Sequence, residues 1–174
     1  MKSTLVLGTA ALMLAGGATF ANDAKDDVHS MSTAKLSLTD AIRMAEKEGG
    51  GKALDAELAS HKSGHPQYAV EVLSSDGKKL TEYTLDGNTG KVEKASNEPI
   101  EKLTTRAKPE DLQQVQTSLS SAIRSAEQQT GGKVIDAETE GSGSSIRYDL
   151  NVAMADGKTE KIKIDGSTGK VASK

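Results

Sequence analysis

The sequence contains no cysteine. This excludes disulfides, zinc sites built on thiolates, thiol catalysis and a bacterial lipoprotein anchor, which needs a lipid-bearing cysteine. Tryptophan is also absent, and the aromatic residues are Phe20, Tyr68, Tyr83 and Tyr148. Single-stranded nucleic acids bind on platforms of aromatic side chains, so the sequence excludes that class of binding protein.

Positive charge is not in excess either. The chain carries 22 Lys and Arg residues against 25 Asp and Glu residues, a net charge of −3 at pH 7, and its basic residues are spread along the sequence. Proteins that bind DNA or anionic lipid surfaces do so through clustered basic side chains. We therefore expect no nucleic-acid partner.

Residues 1–21 have the pattern of a secretory signal peptide. Lys2 precedes an uncharged, largely apolar stretch that ends in small residues, with cleavage expected after Ala21. The alternative, a retained membrane anchor, is disfavoured because a spanning helix needs about 20 strongly apolar residues and a glycine pair interrupts this stretch. We expect export to the periplasm, with an extracellular location as the alternative, and no stable membrane insertion after cleavage. The polar segment 22–35 is expected to be disordered.

The rest of the sequence contains an internal repeat, the first feature to be sought in any chain. Leu38–Glu46 recurs as Leu119–Glu127, and Gly50–Glu57 recurs as Gly131–Glu138, both 81 residues later. We interpret the repeat as two tandem domains, which we expect to pack on each other or to stack as one pseudo-symmetric unit, because each is too small for a large core. The predicted boundaries are domain 1 at 36–93, a linker at 94–108 and domain 2 at 109–174.

Each repeat begins with an amphipathic helix. Apolar residues at helical spacing form one stripe in the first helix: Leu38, Ala41, Ile42 and Ala45. Thr39 is its expected N-cap, and the glycines at 49–51 end it because glycine readily adopts the left-handed conformation. The second helix is expected to be longer, running without interruption from Pro109 to Thr130.

Alternating segments after each helix predict antiparallel strands. We expect strands at 52–59, 67–73, 79–85, 133–139, 146–153 and 159–164, with short fourth strands at 91–93 and 170–172. In the first strand, Leu54, Ala56 and Leu58 are expected to face the helix. The other sheet face is expected to be polar, and either solvated or covered by a partner: Glu71, Lys79, Thr81 and Thr84, then Arg147, Asp149, Asn151, Lys161 and Lys163. The predicted fold class is α+β, with two tandem repeats, each one helix packed on a three- to four-stranded antiparallel sheet.

These segments, in this order, resemble the PepSY domain. The resemblance rests on Leu-Thr-Asp-Ala-Ile-Arg-Met-Ala at 38–45, Tyr-Ala-Val-Glu-Val at 68–72 and Tyr-Thr-Leu-Asp-Gly-Asn-Thr-Gly-Lys-Val at 83–92, with weaker matches in the second repeat. It implies a non-catalytic module, similar to the domain in propeptides of thermolysin-type metalloproteases that accompanies inhibition of the protease. The family has no catalytic residues to carry over.

Few residues suggest chemistry of their own. His61 and His65 have a spacing that presents two metal ligands when it occurs on a helix, but they lie in a predicted loop, so we expect weak metal binding at most. The run from Asp86 resembles a calcium loop, yet its twelfth residue is Asn97 where a glutamate is needed, and we interpret the run as a turn. Gly157-Lys158-Thr159 lacks the first glycine of a phosphate loop. The second repeat contains no histidine, so its serines have no neighbouring histidine within that repeat to act as the base of a serine hydrolase.

The sequence therefore predicts a protein that is not an enzyme and has no catalytic, cofactor or metal site. The first hypothesis is an exported binding module that regulates or inhibits a periplasmic or extracellular peptidase through the polar sheet face or an exposed sheet edge. The alternative is an accessory protein for envelope sensing or stress that binds a sensor protein or a small ligand. The sequence leaves the oligomeric state open.

Overall fold

The structure, a computed structural model, describes residues 33–60, 65–104 and 107–172. The predicted signal peptide at 1–21 and most of the segment 22–35 lie outside the described residues. In chain order the elements are α1 (Leu38–Gly49), β1 (Gly51–Ser60), β2 (Pro66–Ser74), β3 (Leu80–Asp86), β4 (Val92–Glu98), α2 (Glu101–Thr104), α3 (Pro109–Gln114), α4 (Leu119–Thr130), β5 (Lys133–Glu140), a 3-10 turn (Gly143–Ser145), β6 (Arg147–Ala153) and β7 (Thr159–Asp165). The six main predicted strands are all present, with ends within one residue of the prediction. Across the described residues, no helix has the length and apolarity needed to span a membrane.

The first helix begins two residues earlier than the Thr39 prediction implies. Ser37 is the N-cap: its hydroxyl accepts a hydrogen bond from the Asp40 amide at 3.2 Å, and the Asp40 carboxylate accepts one from the Ser37 amide at 3.3 Å. This reciprocal pair is a capping box, so the prediction of Thr39 as the N-cap is wrong. The helix ends as predicted, at Gly50 in the left-handed conformation.

The predicted long second helix is two helices, α3 and α4. Val115 leaves the helical region, with φ −64° and ψ 126°, and Ser118 is the N-cap of α4, where its hydroxyl accepts a hydrogen bond from the Ser121 amide. Serine competes with helical hydrogen bonding and favours caps, which explains the break. The apolar stripe continues across it in the sequence, so the helical period did not reveal the interruption.

The strands form one antiparallel sheet of seven, in the order β4-β3-β2-β1-β5-β6-β7. β1 and β5 pair through Asp55–Glu57 and Asp136–Glu138, with Ala56 opposite Ala137. The expectation of a separate sheet in each repeat is therefore corrected to a single sheet. Pairing the first strands of the two halves satisfies backbone groups that would otherwise lie on two exposed edges.

Both α1 and α4 pack in one core with this sheet. The apolar stripes of the two helices lie in the same buried cluster, which also contains inward residues of the strands. Ala56 and Ala137, both 0 % exposed, are at the centre of the β1–β5 contact. The two halves therefore share a single hydrophobic core.

A β-bulge in β1 turns Leu54 away from this core. The register shifts between Ala53 and Asp55, so Ala53 and Leu58 lie in the core with the helices while Leu54 joins a second cluster. The predicted grouping of Leu54 with Ala56 and Leu58 is wrong because an extra residue breaks the strict alternation of a strand. β5 has the equivalent bulge, between residues 134 and 136.

The segment predicted as a linker, 94–108, contributes to the fold. β4 continues to Glu98 and α2 follows it. Leu103, only 2 % exposed, belongs to the second buried cluster, whose other members are Leu54, Leu73, Leu80, Ala107, Leu112 and Ile146. A residue buried to this degree indicates packed structure and not a tether.

The predicted fourth strands differ between the halves. β4 pairs with β3 along Leu80–Leu85 and is longer than the predicted 91–93. At the predicted 170–172, the described residues contain one isolated bridge, between Ile164 and Val171. β4 and β7 are thus the two edge strands of the sheet.

The two halves repeat specific hydrogen bonds. In each half, a tyrosine of that half's second strand (β2 or β6) donates a hydrogen bond to the carbonyl of the residue before the N-cap of α1 or α4. A glutamate near the end of the same helix accepts a hydrogen bond from an amide of that half's first strand (β1 or β5). These bonds are Tyr68 to Leu36, Tyr148 to Thr117, Ala53 to Glu46, and Val134 to Glu127. Each tyrosine fixes the start of a helix, and each glutamate fixes its end.

Candidate functional site

The sheet face away from α1 and α4, which we call the open face, carries the predicted polar side chains with two exceptions. The pairing registers place on it Glu71, Thr84, Arg147, Asp149, Asn151, Lys161 and Lys163. Thr81 was wrongly assigned to this face: it pairs with Val72 of the core and is 4 % exposed. Lys79 precedes β3, and its amide donates to the Ser74 hydroxyl at 2.9 Å.

A shallow depression of about 420 Å³, which we call the acidic hollow, lies on the open face. Ala69 is the smallest of the side chains that border it, and the others are Asp55, Glu57, Glu71, Glu82, Glu138 and Lys102. Strand geometry places all of the carboxylates on this face, because each lies next to a core residue along its strand: Ala56, Val70, Tyr83 or Ala137. A small residue among long acidic ones explains the concave shape.

Lys102 of α2 reaches into the hollow and binds Glu71. The Lys102 ammonium is 2.8 Å from Glu71 Oε1 and 3.5 Å from Glu98 Oε2. The hydrogen bond to Glu71 is the largest cause of a raised pKa for Lys102. The Glu71 side chain is 7 % exposed, and a buried carboxylate requires such a partner. This ion pair therefore anchors α2 to the sheet.

The second half of the open face carries charges of both signs in paired arrangements. Arg147 donates to Asp149 at 3.0 Å, and Lys163 also binds Asp149. Asn151 donates to Asp136 at 2.6 Å. Burial is the largest cause of a raised pKa for Asp136, and the Asn151 hydrogen bond acts against it. This half is electrically mixed, whereas the hollow is acidic.

The hollow suits a cationic group of another molecule. Among the described residues, five carboxylates and one ammonium line it, and a concave surface on which negative charge predominates concentrates its field. A metal ion is a poorer fit, since no three His, Asp or Glu side chains of the described part of the chain are arranged to hold one. The charge of the described lining favours cationic groups such as lysine and arginine side chains.

Of the residues that line the hollow, sequence analysis named only Glu71 as part of the polar sheet face. Alternation would also have indicated Asp55 and Glu57, because they flank the inward-facing Ala56. Lys102 had no such signal, since it lies in the segment predicted as a linker. The charge of Glu71 suggested the open face, but not that Glu71 would be buried beneath a lysine.

The histidine pair stays a prediction. His65 is exposed beside β2, and His61 lies outside the described residues. The Asp86 run forms the predicted turn: Asp86 Oδ1 accepts from the Thr89 amide at 2.8 Å and the Thr89 hydroxyl at 2.7 Å. Both bonds lower the pKa of Asp86, and the bond from the Thr89 hydroxyl is the larger cause. The carboxylate that would lead a calcium loop is thus used within the turn.

Comparison with known proteins finds a family match within the first half of the chain. The sequence profile of the PepSY family, described as "Peptidase propeptide and YPEB domain", matches residues 35–95. This is a propeptide-type domain and not a catalytic family. No curated protein matches the sequence.

One solved structure is similar to this chain. It is of a protein from Clostridium difficile 630, provisionally described as a lipoprotein, with 19% sequence identity and a TM-score of 0.47. The match covers 80% of this chain and 92% of that chain.

Proposed function

Because residues 35–95 are a PepSY domain, we propose that this protein is an exported, non-catalytic binding module that restrains a peptidase. The family description, which names peptidase propeptides, is the observation that carries the proposal. A propeptide acts by binding its peptidase, so the activity expected here is association and not chemistry. The predicted signal peptide at 1–21 supports action in the periplasm or outside the cell.

A second part of the proposal is that residues 109–174 are a second copy of the same domain. The sequence offset of 81 residues supports it, as do the equivalent β-bulges in β1 and β5. The paired tyrosine and glutamate hydrogen bonds of the two halves support it further. Domain 1 would then occupy 36–93.

The acidic hollow is the proposed contact surface for the peptidase. Its carboxylates favour a basic patch on the partner, and charge complementarity mainly raises the rate and specificity of association. The open face is also the broad surface of the sheet that is not covered by α1 and α4. Among the described residues of the hollow, Lys102 would repel a basic patch, and its bond to Glu71 holds it in place.

The test is capture of a peptidase together with loss of its activity. Residues 22–174 are immobilised, periplasmic extract is passed over them, and retained proteins are identified by mass spectrometry. A retained peptidase is then assayed with and without the soluble protein. The expected result is dose-dependent inhibition that weakens as salt rises. A retained sensor protein with no peptidase would favour the sensing alternative.

Two matched variants locate the contact. Glu57→Lys reverses an exposed charge in the hollow, and Glu48→Lys does the same on the exposed side of α1. We expect Glu57→Lys to weaken inhibition and Glu48→Lys to leave it unchanged. Equal effects would refute the hollow as the contact, and no inhibition by the unmodified protein would refute the proposed function.

A further inference from the structure

A small cavity of about 120 Å³, which we call the helix-end pocket, lies beside the junction of β1 and β5. The pairing of these strands stops at Asp55 and Glu138, and the next residues, Leu54 and Thr139, border the cavity. Its walls also include the last turn of α1 and the first residue of α4. The pocket is thus built from both halves of the chain.

Thr139 is the unusual residue of this pocket. It is 4 % exposed, and its hydroxyl is the one buried side-chain polar atom of the described residues without a hydrogen-bond partner. A buried hydroxyl left unpaired lowers stability. Such a group in a folded protein calls for an explanation.

A second cavity, at the other end of the β1–β5 contact, provides an internal comparison. Among the residues that line it are Leu38, Leu58, Tyr68, Glu127 and Lys133. Their counterparts 80 or 81 positions away in the sequence, which line the helix-end pocket, are Leu119, Thr139, Tyr148, Glu46 and Lys52. Leucine therefore occupies the position of Thr139 in the second cavity. Because the fold accepts an apolar residue at this position, folding alone does not account for the hydroxyl.

The chemistry of the pocket matches a neutral amide. Glu46 and Lys52 contribute one charge of each sign, so neither an anion nor a cation is favoured by net charge. Thr139 can donate a hydrogen bond, and Glu46, which accepts one bond from the Ala53 amide at 3.0 Å, has further acceptor capacity. The carbonyl of an amide can accept a hydrogen bond from Thr139, and its N–H can donate one to Glu46. Leu54 and Leu119 would contact the apolar part of the same molecule.

We propose that the helix-end pocket binds a neutral amide group, whose carbonyl accepts a hydrogen bond from Thr139 and whose N–H donates to Glu46. The size of the cavity allows about four to six non-hydrogen atoms, since one of about 150 Å³ accommodates benzene. The amide could come from a small free molecule or from a peptide chain. This inference is independent of the proposed peptidase partner, because none of the described residues lines both the pocket and the acidic hollow.

An NMR titration tests the proposal. Residues 22–174, labelled with ¹⁵N, are titrated with N-methylacetamide over about 1–100 mM, where a ligand of this size can bind. We expect saturable shifts at Thr139, Ala53 and Leu119. Acetate, which is of similar size but charged, should produce none at these positions. Equal shifts with both probes, or none with either, would overturn the proposal and leave water as the occupant of the cavity.

Two variants test whether binding depends on the Thr139 hydroxyl or only on the shape of the pocket. Thr139→Ser should keep the response to N-methylacetamide. Thr139→Val, nearly the same shape, should lose it without lowering the melting temperature, because no hydrogen bond within the protein is removed. Binding by Thr139→Val as strong as that of the unmodified protein would contradict the assignment. If this variant does not fold, the comparison of amide with acetate still decides.

A further probe distinguishes the two sources of the amide. Acetyl-triglycine amide presents the same group within a chain. Tighter binding than N-methylacetamide would indicate a peptide ligand that extends beyond the pocket. Equal or weaker binding would indicate a small free amide.

Discussion

Ile42→Ala in α1 is predicted to destabilise the whole protein and not its first half alone. Ile42 is 0 % exposed and lies in the core shared by α1 and α4. The change removes roughly three CH₂ equivalents, worth about 2.4 kcal/mol of burial at about 0.8 kcal/mol each. The cavity left behind raises the expected loss to about 3–4 kcal/mol. For a chain of this size, the melting temperature should fall by about 6–16 °C.

Urea unfolding of residues 22–174 measures this effect, followed by circular dichroism and by tyrosine fluorescence. Ile123→Ala, the equivalent change in α4, should cause a similar loss. Glu48→Ala on the exposed side of α1 should change the free energy of unfolding by less than about 0.5 kcal/mol. All variants should show one transition with both probes. Two transitions, one moved by Ile42→Ala and the other by Ile123→Ala, would refute the shared core.

Three further predictions concern single residues. Ser37→Ala removes the α1 cap and should lower the free energy of unfolding by about 1 kcal/mol, measured in urea; an unchanged value would contradict the capping box. Burial raises the pKa of Asp136 in the folded state. The folded protein therefore binds the proton of the Asp136 carboxyl more tightly than the unfolded chain does. Stability falls as pH rises from the unfolded-state pKa through the folded-state pKa. Asp136→Asn should therefore be more stable than the unmodified protein at pH 7, with the difference shrinking at pH 3; a pH-independent difference would show that ionisation is not the cause. Gly90 and Gly169 have φ of +71° and +68°, where a side chain costs about 1–2 kcal/mol. A Cβ added at Gly90 would lie 2.1 Å from the Met44 side chain, whereas one added at Gly169 would lie 3.3 Å from the Thr117 side chain. Gly90→Ala should therefore lower the melting temperature more than Gly169→Ala. The reverse order would contradict the packing.

Local patterns predicted the elements of this fold. The apolar stripe of α1 and the alternation in β2 and β3 depend on which side of an element is buried, and periodicity records that directly. The errors arose where one residue departs from the period. Leu54 lies at a bulge, and Ser118 interrupts a helical run whose apolar spacing continues past it.

Long-range contacts could not be read from the sequence. β1 and β5 were each predicted as strands, but which strand pairs with which depends on the whole chain. The packing of Leu103 and the reach of Lys102 to Glu71 depend on how the segment 94–108 crosses the sheet. For the same reason, the carboxylates of the acidic hollow were placed in predicted strands, but the sequence did not show that they meet at one site.

The two halves form one sheet through the pairing of β1 with β5. The chain has no cysteine, so a pair of introduced cysteines reports this contact without interference. Glu57 lies opposite Asp136, and Asn151 lies one strand further away, opposite Asp136 on its other side. Neighbouring strands are about 4.8 Å apart, whereas a disulfide needs Cα atoms within about 7 Å.

Glu57→Cys with Asp136→Cys should therefore form an intramolecular disulfide on mild oxidation, seen by mass spectrometry of tryptic peptides from the monomer. Glu57→Cys with Asn151→Cys should remain reduced under the same conditions. Absence of the first disulfide, or equal formation of both, would contradict the joined sheet.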